Sequence, residues 1–100
     1  MEENKFVCGF LVCGPEEKVL MSLIKMALMQ LGTDFQEEED GIVVFEADVP
    51  IKTVNLQKYS TIHPDNLFFY SWANESTFSR GHIVVQNGKI LKNTSNIKKI

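Results

Sequence analysis

The side chains able to do chemistry are few, and they are scattered. The chain has two cysteines, Cys8 and Cys13, and two histidines, His63 and His82. A cysteine nucleophile needs a neighbouring base and a group to orient that base. Cys13 stands just ahead of Pro15-Glu16-Glu17, which reads as a helix start, a place that favours a thiolate. A thiol at the end of a strand is as a rule structural, and Cys13 is read so. Zinc would want close pairs such as C-x-x-C or H-x-x-x-H, and the sequence has neither. The run Glu37-Glu38-Glu39-Asp40 lacks the alternating ligands of a calcium loop and reads as the solvated end of a hairpin. Cys13-Gly14-Pro15 is too short to cradle a phosphate, and Pro15 has no amide to offer. No catalytic residue, metal or cofactor is assigned, so a non-enzymatic role is favoured over a catalytic one.

Two groups of residues remain as candidates for binding. Glu75, Arg80 and His82 surround one turn, where they could cluster or could simply pair across strands. Such pairing is worth under about 1 kcal/mol at an exposed site. Phe68, Tyr70 and Trp72 alternate within one strand and so share a face. Leu67, Phe69 and Ala73 share the other face with Ser71.

These residues must be held by ordinary elements. KFVCGFLVC, from Lys5 to Cys13, is rich in aromatic and β-branched residues and reads as a strand. Pro15 opens a helix with Glu16 and Glu17 at its positive end. Leu20, Leu23, Ile24, Ala27, Leu28 and Leu31 form its apolar stripe, and Gly32 ends it. Thr33 to Glu38 and Ile42 to Asp48 make a hairpin around Asp40-Gly41, with Val43, Phe45 and Ala47 facing the core. Asn55 to Ile62 is a short helix capped by Asn55 or Thr53, with Leu56, Tyr59 and Ile62 inward. Leu67 to Ala73 and Arg80 to Gln86 are strands joined by a turn. Asn87-Gly88 then turns the chain into a short last strand, Lys89 to Leu91.

Length and composition bound the rest. One hundred residues, 44% hydrophobic and 23% charged, suit a single domain with its own core. That domain is placed at residues 1–92, with a polar, frayed tail over 93–100. The net charge of −3 makes a phosphate backbone a poor partner. The longest apolar stretches are broken by Gly9, Gly14 or Lys25, too short for a spanning helix. Met1 to Lys5 lacks the basic start of a signal peptide. An intracellular, cytoplasmic protein is expected. Cys8 and Cys13 fall on opposite faces of one strand and are expected to stay reduced.

The order of elements predicts an α+β fold. Its sheet is antiparallel and ferredoxin-like, one long and one short helix lie on one face, and an extra C-terminal hairpin strand is appended. The run from Leu56 to Leu91 resembles the ferredoxin-like domain of YubB-like proteins of plasmids and phages. Its features are a short helix ending at Pro64-Asp65, an aromatic strand from Leu67 to Trp72, Glu75, Gly81 opening the return strand, and the Asn87-Gly88 turn. The resemblance covers about a third of the chain. Ahead of the short helix those proteins carry a stretch rich in Trp and Pro, whereas Asp48-Val49-Pro50-Ile51 has one proline and no tryptophan. The resemblance implies the fold and a bacterial, plasmid or phage setting. It supplies no activity.

Helices on one face of a sheet leave the other face open, and exposed apolar surface marks association. The expectation is an interaction domain that forms a homodimer or homo-oligomer, or binds another protein, through the aromatic strand. Phe68, Tyr70, Trp72, Glu75, Arg80 and His82 are its candidate residues. The alternative is a small-ligand, nucleotide-binding or enzymatic site near Trp72, Glu75, Arg80 and His82. Nucleic acid ranks below protein, because few cations flank the aromatics.

Overall fold

A computed structural model describes residues 5–97, with side chains described through residue 94. The chain forms β1 (Phe6–Cys13), α1 (Glu17–Gln30), β2 (Phe35–Glu37), β3 (Val43–Ala47), α2 (Thr53–Ile62), β4 (Leu67–Asn74), β5 (Ser79–Gln86) and β6 (Lys89–Ile97). The strands make one six-stranded sheet in the order β2-β3-β1-β4-β5-β6, antiparallel at every junction. The protein is α+β, with two helices and a six-stranded antiparallel sheet among the described residues.

Side-chain alternation puts Cys8, Phe10 and Val12 of β1 on one side of the sheet. They meet Val43 and Phe45 of β3, Phe68 and Tyr70 of β4, and Ile83 and Val85 of β5 in a single buried cluster. Leu20, Met21 and Leu28 of α1 and Leu56 of α2 close that cluster from above. Each such side chain taken fully out of water contributes about 1.5–3 kcal/mol. Both helices therefore cover the same side.

Local chemistry sets the ends of the elements. At the end of α1 the Thr33 amide donates to the Leu28 carbonyl and the Gly32 amide to that of Met29. Gly32 takes φ +73° there, the left-handed turn that lets these two bonds form. Asn87 and Gly88 both have positive φ, as a type I′ turn requires. Asn74, almost fully buried, accepts the amides of Ser76 and Thr77 at 2.9 and 3.2 Å and so shapes the β4–β5 turn.

Four details correct the sequence reading. α1 starts at Glu17 and not at Pro15, because Glu16 takes the non-helical angles φ −110° and ψ 17°, with its amide held by the Asn66 side chain at 3.0 Å. Met21 of α1 is buried, whereas Leu23 and the C-cap residue Leu31 are exposed. The helix is apolar around most of its girth, so the stripe alone does not fix its rotation. Ile62 of α2 faces solvent, and Ser60 takes a buried place instead. The last strand does not stop at Leu91. β6 continues to Ile97 and pairs along the length of β5, with a bulge between Val84 and Val85. The polar stretch expected to fray is thus part of the sheet as far as Ile97, and residues 98–100 lie outside the described residues.

The edges of the sheet are unequal. One is β2, of three residues. The other is β6, whose Lys89, Lys92, Asn93 and Thr94 are exposed. Among the described residues no helix is long and apolar enough to cross a membrane.

Candidate functional site

The register of the strands settles which row of β4 is free. Phe68 and Tyr70 are 0% and 3% exposed and face the helices. Trp72 follows the same alternation, is half-buried, and meets Phe6 edge to face at 5.8 Å. The expectation that Phe68 and Tyr70 offer a binding face is corrected here. They are core residues, each edge to face with Phe10. Phe69, Ser71 and Ala73 point to the uncovered side.

That uncovered side is built of straight rows across the strands. In the middle row Gln36, Val44, Gly9, Ser71, His82 and Thr94 are successive partners from β2 to β6. On one side of it lies a row of Glu46, Val7, Ala73 and Arg80. On the other lie Leu11, Phe69, Val84 and Lys92, with Ile42 beside them around a small hollow of about 150 Å³. Two apolar rows thus flank a middle row of small and polar residues.

Gly9 gives the middle row its depth. A Cβ at residue 9 would meet the Ser71 hydroxyl at 2.9 Å. The resulting shallow cavity of about 660 Å³ is bordered by Val7, Val44, Ser71, Trp72, Arg80 and His82, among others. The Thr94 hydroxyl lies 2.9–3.0 Å from the His82 ring nitrogens. Charge is divided across this side. Glu46 sits on β3 and the β2–β3 turn is acidic, while Arg80, His82 and Lys92 sit on β5 and β6. Among the described residues neither Glu46 nor Arg80 is in an ion pair.

The six candidates are therefore split. Arg80 and His82 are exposed on the uncovered side, Phe68 and Tyr70 are buried behind it, and Trp72 borders the cavity. Glu75 is exposed in the β4–β5 turn, away from the cavity lining. Sequence reasoning missed Val7, Gly9, Leu11, Ile42, Val44 and Val84. Their signal was present in the alternation of β1, β3 and β5, but that pattern is symmetric until the helices choose a side.

No family model, curated protein or solved structure matches the chain.

The remaining polar groups are structural. Both cysteines are free, with Cys8 buried and Cys13 half-buried. The Tyr70 hydroxyl donates to Cys8 Sγ at 3.1 Å and accepts the Ile51 amide at 2.9 Å. Burial raises the Tyr70 pKa, as does the bond to Cys8, while the Ile51 amide opposes the rise. Burial likewise raises that of Cys8, against a smaller opposing effect of the Tyr70 bond. His63 Nδ1 stands 3.5 Å from Glu16 Oε1, and buried Asn66 donates to the same oxygen at 3.0 Å. This joins the start of α1 to the α2–β4 loop. Among the described residues no three His, Cys, Asp or Glu side chains gather to hold a metal ion.

Proposed function

We propose that the protein is a non-enzymatic association domain that pairs with a second copy of itself through the uncovered side of its sheet. One observation carries this reading. Val7, Leu11, Ile42, Val44, Phe69, Ala73 and Val84 lie together on a side that neither helix covers. A contiguous apolar face rimmed by polar residues marks an association surface. Six strands at about 4.8 Å spacing and seven residues of strand give roughly 500 Å² in projection. Side-chain relief brings the accessible area toward the ~800 Å² per partner of a standard interface. Burial of Phe68 and Tyr70 removes the aromatic platform that single-stranded nucleic acid would stack on.

The finer fold reading belongs to the same proposal. β1-α1-β2-β3-α2-β4 is read as a ferredoxin-like unit extended at β4 by β5 and β6. The likeness of its second half to YubB-like domains supports a bacterial, plasmid or phage setting, where the domain would serve as an accessory binding protein in the cytoplasm. This part rests on analogy of fold, which does not determine function.

Light scattering after size exclusion, over a range of protein concentration, tests the association. A dimer mass that falls on dilution is expected, and a strict monomer at high concentration overturns the reading. The cavity bordered by Arg80 and His82 favours a second reading, a small ligand held there. A monomer whose melting temperature rises with a small-molecule collection, and falls back on Gly9→Val, would favour that instead.

A further inference from the structure

Resting on the self-association reading, we infer that the two copies pack sheet to sheet about a two-fold axis parallel to the strands, so that Glu46 of each copy pairs with Arg80 of the other. Glu46, Val7, Ala73 and Arg80 occupy one row, on β3, β1, β4 and β5 in turn. The midline of the six-stranded sheet falls between β1 and β4. Rotation by a half-turn about that midline carries β3 of one copy over β5 of the other, at the same height along the strands. Glu46 is then set opposite Arg80, and the symmetry repeats the pair.

Within one chain these two residues are three strand spacings apart, about 14 Å, too far to pair. Neither is in another ion pair among the described residues. The same half-turn lays Val44 over His82 and brings the acidic β2–β3 turn to the row of Lys92. A half-turn about the axis across the strands, through the middle row, would instead lay each strand on its own copy, with Arg80 over Val84 and Glu46 over Ile42, and burying those charges against apolar side chains without a partner is costly.

The apolar rows agree with this choice. Val7 comes to lie over Ala73 of the second copy, and Leu11 over Phe69, large against small in one row and large against large in the other. At the centre Gly9 faces Ser71, so the smallest side chains stand where the backbones come closest. Packed sheets cross at about 30°, which moves positions 10 Å from the axis by about 5 Å. The lengths of Glu and Arg side chains accommodate that.

The test is charge reversal read by sedimentation. Glu46→Arg alone and Arg80→Glu alone each set two like charges face to face. Each is expected to raise the dimer dissociation constant about tenfold or more. An equimolar mixture of the two single variants is expected to recover dimers, since both cross-copy pairs in the mixed dimer are then opposite in sign. The double variant, Glu46→Arg with Arg80→Glu, is expected to recover them within one chain type. Both positions are exposed, and circular dichroism of each variant checks folding. The milder pair Glu46→Gln and Arg80→Gln, expected to weaken the dimer and reduce its salt dependence, serves if a reversal unfolds the chain. A wild-type monomer removes the self-association reading itself. A wild-type dimer that the single reversals leave unchanged, or that the mixture fails to restore, overturns this geometry and leaves self-association standing.

Discussion

The Trp72 ring lies against the backbone of its cross-strand partner Gly81, so closely that a Cβ at residue 81 would stand 2.7 Å from Trp72 Cζ2. The same Cβ would stand 2.9 Å from the Thr94 carbonyl oxygen, a backbone atom on β6. The ring could swing aside, but the carbonyl could move only with its strand. Gly81→Ala should therefore cost about 1–3 kcal/mol, the range for overpacking. Urea unfolding followed by the fluorescence of Trp72, the sole tryptophan, measures both the loss and the change in the ring's surroundings.

Asn66 carries a larger share of stability than a loop asparagine usually does. It is fully buried, accepts the Glu16 amide, and donates to the Glu16 carboxylate and the His63 carbonyl. Asn66→Ala leaves the Glu16 amide without its partner and should cost about 2–3 kcal/mol. Asn66→Asp keeps the acceptor but sets a second carboxylate beside that of Glu16. Its loss should be at least as large at pH 7 and should shrink as pH falls through about 4. Denaturant midpoints at pH 7 and pH 4 separate the two variants. An Asn66→Asp protein equally unstable at both would count against the repulsion.

Alkaline pH should weaken the fold through Cys8 and Tyr70. Both folded-state pKa values are raised, mainly by burial, above the ordinary values of 9.0 and 10.0. A raised acid is held neutral in the native state, which binds more protons than the unfolded chain above those values. The stability they contribute is full below pH 9 and is lost as pH rises past 9 and then 10. Tyr59, raised by burial and by Glu16, adds to the second step. Urea midpoints from pH 7 to 11 should stay level and then fall. Tyr70→Phe should be less stable by about 1 kcal/mol at pH 7, since the Ile51 amide loses its partner, and should lose less above pH 10.

Neighbouring residues in the strands should behave oppositely. Phe68→Ala opens the core and should cost about 3–5 kcal/mol. Val7→Lys alters a side chain already 42% exposed and should change the stability of the monomer by no more than about 0.5 kcal/mol. It should nevertheless weaken self-association, by placing a charge in the apolar row. Thermal unfolding at low protein concentration, set beside light scattering at high concentration, reads the two effects apart.

Much of the fold was legible because turn chemistry is local. Gly32, Asp40-Gly41 and Asn87-Gly88 each mark a reversal that the chain makes. What could not be read was which side of each strand the helices take. Phe68-Tyr70-Trp72 and Leu67-Phe69-Ala73 are both apolar rows, so alternation separates them without ranking them. The extent of β6 was hidden for another reason. Lys92-Asn93-Thr94 has no apolar alternation, and an edge strand held by backbone bonds to β5 needs none. The uncovered side itself followed from the number of helices. Its charge division did not, because Glu46 and Arg80 are 34 positions apart in sequence and become row-mates only through two intervening strands.

The contrast between the two edges of the sheet has a consequence for what this chain can become at high concentration. A strand of three residues bearing Glu37 offers almost no ladder for another chain to extend, and a strand studded with lysines repels its like. Both features oppose lateral growth, the route to fibres. In the proposed dimer, contact through the uncovered side would consume that side in both partners, so assembly would stop at two and the particle would stay finite.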